Sequence, residues 1–483
     1  MVKKFKNYID GEWINSERNT TFKNLNPANV NDFIGEFQRS SKEDVEYAVE
    51  AASESREEWA STPPPKRGNI LIDTAKILEK KKDELVKTLT REEGKTLSES
   101  AGEVQRAIDI FFYYGSKARD LGGEIKYGST KNKKIFTQKN PIGVVGIITP
   151  WNYPIAIPTW KIAPALMTGN SVIFKPATLA PNISRKLVQS LIDAGIPDGV
   201  INYITGDGSE VGETIVSHSD VDAITFTGSL NIGEEVYKQS SKMGKRVQTE
   251  MGGKNPIIVT SSANLKDAVE MTANGAFGVT GQACTATSRA VVYDEVYDEF
   301  LENIIELADN IKVGPGLQDP DMGPQVSKEE LDSTLDYIDI GLEEDAILEI
   351  GGNPLQSGIY SKGYFIEPTV FSDVEPDMRI AQEEIFGPVL SIIRVSDFEE
   401  AVKVANGVEY GLSASIVTND HIEANRFIEE IQAGVIKVNE KTTGLELHVP
   451  FGGFKKSSSE TWREQGNAVI DFYTISKTVY LNY

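Results

Sequence analysis

Cysteine is nearly absent: the 483 residues contain one, Cys284. A single thiol cannot close an intrachain disulfide, which excludes a disulfide-stapled secreted fold and leads us to expect a reducing cytoplasm. Histidine is almost as scarce, with His218, His421 and His448 far apart. No Cys/His cluster has zinc-site spacing, so no metal is expected. No apolar run approaches the roughly 20 residues of a membrane span, and the opening MVKKFKNYIDGEW is too polar for a signal peptide. Positive charge is in deficit: 49 Lys and Arg stand against 72 Asp and Glu, a net −23. Such a surface repels nucleic acid and anionic membranes, so neither is expected as a partner. Solubility is the plain reading of the charge; a salt-rich or hot habitat is the alternative.

What is present is an ordinary globular composition, 40% apolar and 25% charged, in a chain too long for one core. Residues 5–40 alternate short apolar runs with turn residues and read as strands and loops. Ser41 is placed as an N-cap for a helix carrying Val45, Ala48, Val49 and Ala52 at helical spacing. Residues 66–95 and 97–118 read as two further helices, and 119–140 as a hairpin or arm.

The stretch 141–250 is the most regular. Gly143–Thr149, Ser171–Lys175, Ile201–Ile204 and Ala223–Phe226 are apolar runs of strand length separated by helical segments. That alternation predicts an α/β fold with a parallel sheet covered on both faces. Ligands on such sheets bind at the carboxyl ends of the strands, here Pro150–Asn152, Lys175–Thr178, Gly206–Gly208 and Thr227–Ser229. A second alternation runs from 251 to 450. The chain end, from Phe472, reads as a final strand with no hairpin partner in sequence, a liability that pairing with another subunit would relieve.

Four features could carry chemistry. Cys284 sits among small residues (Gly278 to Thr285), where a ligand could approach the sulfur closely; an inert buried thiol is the alternative. Glu250 lies between a strand and a Gly-Gly turn and could face a pocket, or be an exposed charge. Asn152, between Pro150 and Pro154, could present a rigid amide to a developing oxyanion, or serve only a turn. Gly228-Ser229-x-x-x-Gly233, between a strand and a helix, could meet a pyrophosphate.

Together and in order, these features resemble the aldehyde dehydrogenase superfamily along nearly the whole chain. The matching segments are TPWNYP (149–154), WKIAPAL (160–166), GNSVIFKPA (169–177), FTGS (226–229), EMGGKNP (250–256), GQACTATSR (281–289), QEEIFGPV (382–389) and PFGGFK (450–455). The resemblance implies a Rossmann-type cofactor domain over 1–118 and 141–251. It also implies an α/β catalytic domain over 252–450 and β oligomerisation elements at 119–140 and 468–483 that make a homodimer or homotetramer. It gives Cys284 the role of nucleophile, and Asn152 with the Cys284 N–H that of oxyanion hole. Glu250 becomes the general base, and Lys161 with Glu464 a proton relay. A nicotinamide dinucleotide would lie along Ile148, Thr149, Pro150 and Trp151, then Lys175, Ala177, Thr178 and Gly208. It would continue past Phe226, Thr227, Gly228, Ser229 and Ile232 to Met251 and Gly252. Lys175 would bind the adenine-side ribose, and Glu384 and Phe386 the nicotinamide-side ribose and ring. The implied reaction oxidises an aldehyde to a carboxylate through a cysteine thiohemiacetal and thioester.

Two departures from the family pattern are informative. Many members read Lys-Pro-Ser-Glu after the second strand, and that glutamate disfavours a 2′-phosphate. Here the segment is Lys175-Pro176-Ala177-Thr178, so NADP is expected to be preferred, with NAD as alternative. The usual glycines before the relay glutamate are missing from Lys456 to Glu464. Gly444 to Gly453, Gly281 to Arg289 and Glu103 to Arg106 resemble the 2,5-dioxopentanoate (α-ketoglutaric semialdehyde) dehydrogenase branch. The expected substrate is therefore a small aldehyde with a distal carboxylate. Arg106 would bind that carboxylate, unless it pairs with Glu103 or Asp109 on its own helix. Tyr153, Trp160 and Phe451 would form the apolar wall, with Ala283 and Thr285 flanking the nucleophile. Succinate semialdehyde and glyceraldehyde are rival substrates. A phosphorylated aldehyde fits less well, because position 283 is Ala rather than a cation. A catalytically silent binding protein on the same fold is the alternative of a different class.

Overall fold

The alternation beginning near residue 141 closes into a seven-stranded sheet in the computed structural model, which describes residues 3–483. Five strands run parallel, in the spatial order Arg246–Glu250, Ala223–Thr227, Val144–Ile148, Ser171–Lys175, Ile201–Tyr203. Asn7–Ile9 and Glu12–Ile14 extend the sheet antiparallel at one edge. The four strands from Val144 to Thr227 are buried at every position. Helices cover both faces, which is why these strands are nearly unbroken apolar runs rather than alternating ones. From Val144–Ile148 the chain steps outward twice, then returns to the other side of that strand at Ala223–Thr227. The carboxyl ends of these two neighbours flank the switch point where doubly wound sheets take ligands.

The second alternation forms another seven-stranded sheet. Its order is Ile347–Ile350, Thr369–Ser372, Val389–Val395, Thr287–Tyr293, Asn255–Val259, Ser413–Val417, Val435–Val438, parallel except at its first pair.

Three local expectations are corrected. The helix expected over 66–95 is two, Pro64–Lys80 and Lys82–Glu93, separated at Lys81. Leu78, Leu85 and Leu89 are all buried and keep helical spacing across the break, so periodicity carries no sign of it. The final strand begins at Thr474, not Phe472: Ala468–Tyr473 is helical and packs Val469, Phe472 and Tyr473 into the core at helical spacing. That strand also has a partner inside the chain, because Thr474–Asn482 pairs antiparallel with Lys133–Pro141 of the arm. Ile125–Tyr127 completes a three-stranded sheet whose Ile125, Tyr127 and Tyr480 stay exposed. Among the described residues, no helix is long and apolar enough to cross a membrane.

Candidate active site

The helix Leu265–Phe277 ends in a tight turn that delivers Cys284. Val279 (φ 52°) and Thr280 (φ 57°) both take the left-handed region, which costs β-branched residues on the order of 1–3 kcal/mol each. The surroundings hold them there. The Val279 N–H donates to Glu99 (2.6 Å), the Thr280 hydroxyl to the Gly323 carbonyl (3.1 Å), and the Val326 N–H to Gln282 Oε1 (2.9 Å). Gly281 (φ 69°) admits no side chain, since a Cβ would overlap the Gly387 carbonyl. The Cys284 carbonyl accepts from Asn255 Nδ2 at 2.9 Å. Burial, followed by the carboxylates of Glu384, Glu250 and Glu464, pushes the Cys284 thiol up to about 12. It therefore rests protonated at neutral pH and needs a proton acceptor before it can attack.

Asn152 is buried in the bend after Val144–Ile148. Its Nδ2 donates to the Gln282 carbonyl (3.0 Å), and its Oδ1 accepts from the Tyr153 N–H (3.1 Å). The first bond uses one of the two amide protons and anchors Asn152 beside the loop that carries Cys284. The Asn152 carbonyl in turn accepts from Lys95 Nζ at 2.6 Å. Lys95 is itself buried, ion-paired with Glu103 at 2.7 Å, and lies 4.3 Å from the Tyr153 ring centroid. The other oxygen of Glu103 accepts from the N–H groups of Ile155 and Ala156 (3.0 and 3.1 Å), which fixes the start of the helix Ala156–Thr168.

Glu250 ends its strand fully buried. Its carboxylate accepts from the Gly453 N–H (3.0 Å) and from Gln248 Nε2 (3.3 Å). Burial and the nearby Glu464 raise it well above the usual carboxylate range, while the Gly453 bond and the charges of Lys161 and Arg463 oppose that rise. Lys161, in the buried helix Ala156–Thr168, pairs with Glu464 and donates to Thr225 Oγ1 (2.8 Å). Glu464 reaches Lys161 although the glycines expected before it are missing. Lys455, Glu460 and Gln465 take left-handed backbone without them, and Glu464 exchanges two 2.7 Å backbone bonds with Phe451.

All seventeen residues nominated for the dinucleotide line one cleft of about 470 Å³, which also includes Asn152 and Cys284. Several features of the cleft fit a dinucleotide. The hydroxyls of Thr149 and Thr227 are buried without partners. Among the described residues Lys175 makes no ion pair and donates to the Pro176 carbonyl at 3.3 Å; burial brings its ammonium down to about 8 against the opposing charge of Asp207. Glu384 accepts from the Gly253 N–H at 3.0 Å, and burial raises it to about 7. A Cβ on Gly252 would overlap the Glu384 carboxylate, so only glycine lets that carboxylate in. Phe386 holds a left-handed φ of 59° and sets its ring edge-on to Trp151, centroids 5.3 Å apart.

The six substrate-side residues do not line this cleft. Ala283 and Thr285 flank Cys284 in its loop. Trp160 and Phe451 meet at 6.1 Å between ring centroids. Phe451 is tied to Glu464, and the next residue, Gln465, accepts from Arg106 Nη2 at 3.2 Å. Arg106 makes no ion pair with Glu103 or Asp109: Lys95 takes the first and Gln105 bonds the second. Tyr153 lies against Lys95 and within electrostatic reach of Cys284.

A family model described as the aldehyde dehydrogenase family matches residues 13–479. The chain belongs to the aldehyde dehydrogenase family. Among its aldehyde dehydrogenase relatives, an α-ketoglutarate semialdehyde dehydrogenase of Haloferax volcanii is 56% identical over 478 residues, covering 99% of each chain. An α-ketoglutaric semialdehyde dehydrogenase of Bacillus subtilis is 45% identical, covering 99% of this chain and 98% of that one. The crystal structure of betaine aldehyde dehydrogenase from Staphylococcus aureus with NAD+ superposes with a TM-score of 0.96 at 34% identity. It covers 99% of this chain and 94% of that one.

Sequence reasoning missed several residues of this aldehyde dehydrogenase site. Glu330 and Asp207 also line the cleft. Asp207 adjoins the nominated Gly208, so position could have found it; Glu330 has no local signal. Lys95 and Gln465 reach the site only through long-range contacts. Helical spacing offers Glu103 as a partner for Arg106, whereas the partners of its carboxylate lie off their common helix.

Proposed function

We propose that the chain oxidises a small aldehyde bearing a distal carboxylate, 2,5-dioxopentanoate to 2-oxoglutarate, with NADP preferred over NAD. The observation that carries the reading is that Cys284 and Asn152 share one cleft with the seventeen dinucleotide residues, while Arg106, linked through Gln465 to the Phe451 and Glu464 segment, is unpaired by acid. The names of the Haloferax and Bacillus relatives support the substrate. Thr178 and the unpaired Lys175 support the 2′-phosphate. Asp207, at the same part of the cleft, has its charge answered by Arg39 at 3.1 Å.

Glu250, whose charge reaches Cys284, first takes the thiol proton and passes it to Lys161 and Glu464, and the thiolate then attacks the aldehyde carbon. The resulting oxyanion is stabilised by the free Asn152 amide proton and the Cys284 N–H. A bound oxidised nicotinamide supplies the hydride acceptor, and the substrate is left as a thioester on Cys284. Glu250 takes a proton from water, the hydroxide adds to the thioester, and the thiol leaves as the acid forms. Lys161 and Glu464 carry that proton away from Glu250. The single free thiol suits a cytoplasmic enzyme. The exposed arm sheet suits contact between copies in a dimer or tetramer, which mass measurement in solution tests.

The deciding experiment is kcat/KM for 2,5-dioxopentanoate, succinate semialdehyde, glyceraldehyde and a neutral aldehyde, each with NADP and NAD. The reading expects 2,5-dioxopentanoate with NADP to lead. A neutral aldehyde with NAD leading would overturn it.

A further inference from the structure

Arg106 is a half-buried cation on which Glu446 and Asp109 act through space, yet among the described residues no carboxylate forms an ion pair with it. Glu103 is spent on Lys95 and on two backbone N–H groups, and Asp109 accepts from Gln105 Nε2 at 2.8 Å. Glu446, on the facing segment, is largely exposed and lies beside His448. The side chain that bonds Arg106 is neutral: Gln465 Oε1 accepts from Nη2 at 3.2 Å.

Gln465 is held firmly in place. It is 1% exposed and takes φ 61°, a conformation that costs a non-glycine residue free energy. Glu464 before it is bonded twice through backbone to Phe451, and Gly466 after it bonds the Leu447 carbonyl and the Tyr114 hydroxyl. Its Nε2 is buried without an acceptor, a loss worth roughly 1–3 kcal/mol. Glutamate would give Arg106 a charge-assisted bond, at the cost of burying a second carboxylate beside Glu464.

We propose that Gln465 is a specificity-determining positioning residue: its neutral carbonyl aims Arg106 without cancelling its charge, leaving the guanidinium for the distal carboxylate of the aldehyde. This rests on the proposed role of Arg106 as the anchor for that carboxylate. The site keeps a cation in reserve, because a resident carboxylate would compete with the substrate's.

The test compares wild type, Gln465→Glu, Gln465→Met and Arg106→Ala, with succinate semialdehyde and butanal at saturating NADP, together with thermal midpoints. Gln465→Glu, whose midpoint reports the cost of burying a carboxylate beside Glu464, is assayed well below that midpoint. It should raise KM for the semialdehyde at least tenfold against a much smaller change in kcat, and lower the semialdehyde-to-butanal ratio of kcat/KM by a similar factor. Gln465→Met, which loses the aim but not the charge, should give a smaller rise of the same kind. If Arg106→Ala lowers the ratio and Gln465→Glu does not, or Gln465→Glu depresses both substrates equally, the role given to Gln465 is wrong while that of Arg106 stands. If Arg106→Ala leaves the ratio unchanged, both fall.

Discussion

Replacing Lys161 with methionine leaves Glu464 without the cation it pairs with. Both side chains are about 1–2% exposed, and the second oxygen of Glu464 already lacks a partner. Stripping one member from a buried pair costs about 3–5 kcal/mol. The carboxylate has one escape, which is to take up a proton. Glutamate ordinarily titrates near 4.3, so neutralising one at pH 7 costs about 3.7 kcal/mol, and at pH 5 about 1 kcal/mol. Thr225 and Gln248 lose a donor but still bond each other at 2.6 Å, so they add little. Lys161→Met should therefore lose about 3–4 kcal/mol at pH 7 and only about 1–2 kcal/mol at pH 5. The sign comes from linkage. In the variant the folded state binds a proton that the unfolded chain releases, so stability falls as pH rises. Lys161→Met/Glu464→Gln should recover most of the loss. Denaturant unfolding of wild type, the single variants and the double variant at both pH values measures this. A deficit in Lys161→Met independent of pH, or no recovery in the double variant, would refute the argument.

The same geometry sets three other outcomes. Because Lys161 opposes the rise of Glu250, the variant's alkaline-rising limb of deacylation should move to higher pH, read from single-turnover rates. Thr178→Glu places a carboxylate beside Lys175 in the cleft and should lower kcat/KM for NADP relative to NAD by at least tenfold, read from paired kinetics. Lys175 titrates near 8 and is charged below that pH. KM for NADP should therefore climb above pH 8 more steeply than KM for NAD; parallel profiles would remove Lys175 from phosphate binding.

Much of this was legible because the residues expected to hold the cofactor cluster at strand ends. Buried parallel strands advertise themselves as apolar runs, and the residues just after each run must lie at one edge of the sheet. That rule gathers Ile148–Trp151, Lys175–Thr178 and Phe226–Ser229 without any three-dimensional information. It says nothing of Lys95, whose side chain crosses from a loop to pin Asn152 from 57 residues away. Nor does it reveal that the terminal strand pairs with the distant arm near residue 140, since neither strand alternates cleanly. The left-handed Phe386 and Gln465 are equally silent in sequence, because the contacts that hold such backbone come from elsewhere in the fold.

The most direct test of the account is to react Glu250→Gln with 2,5-dioxopentanoate and NADP, track reduced nicotinamide over one turnover, and map the quenched protein by mass spectrometry. The expected result is a burst approaching one equivalent per active subunit, then very slow turnover, with the acyl group on Cys284. Rapid multiple turnover, the absence of a burst, or an acyl group on any residue other than Cys284 would contradict it.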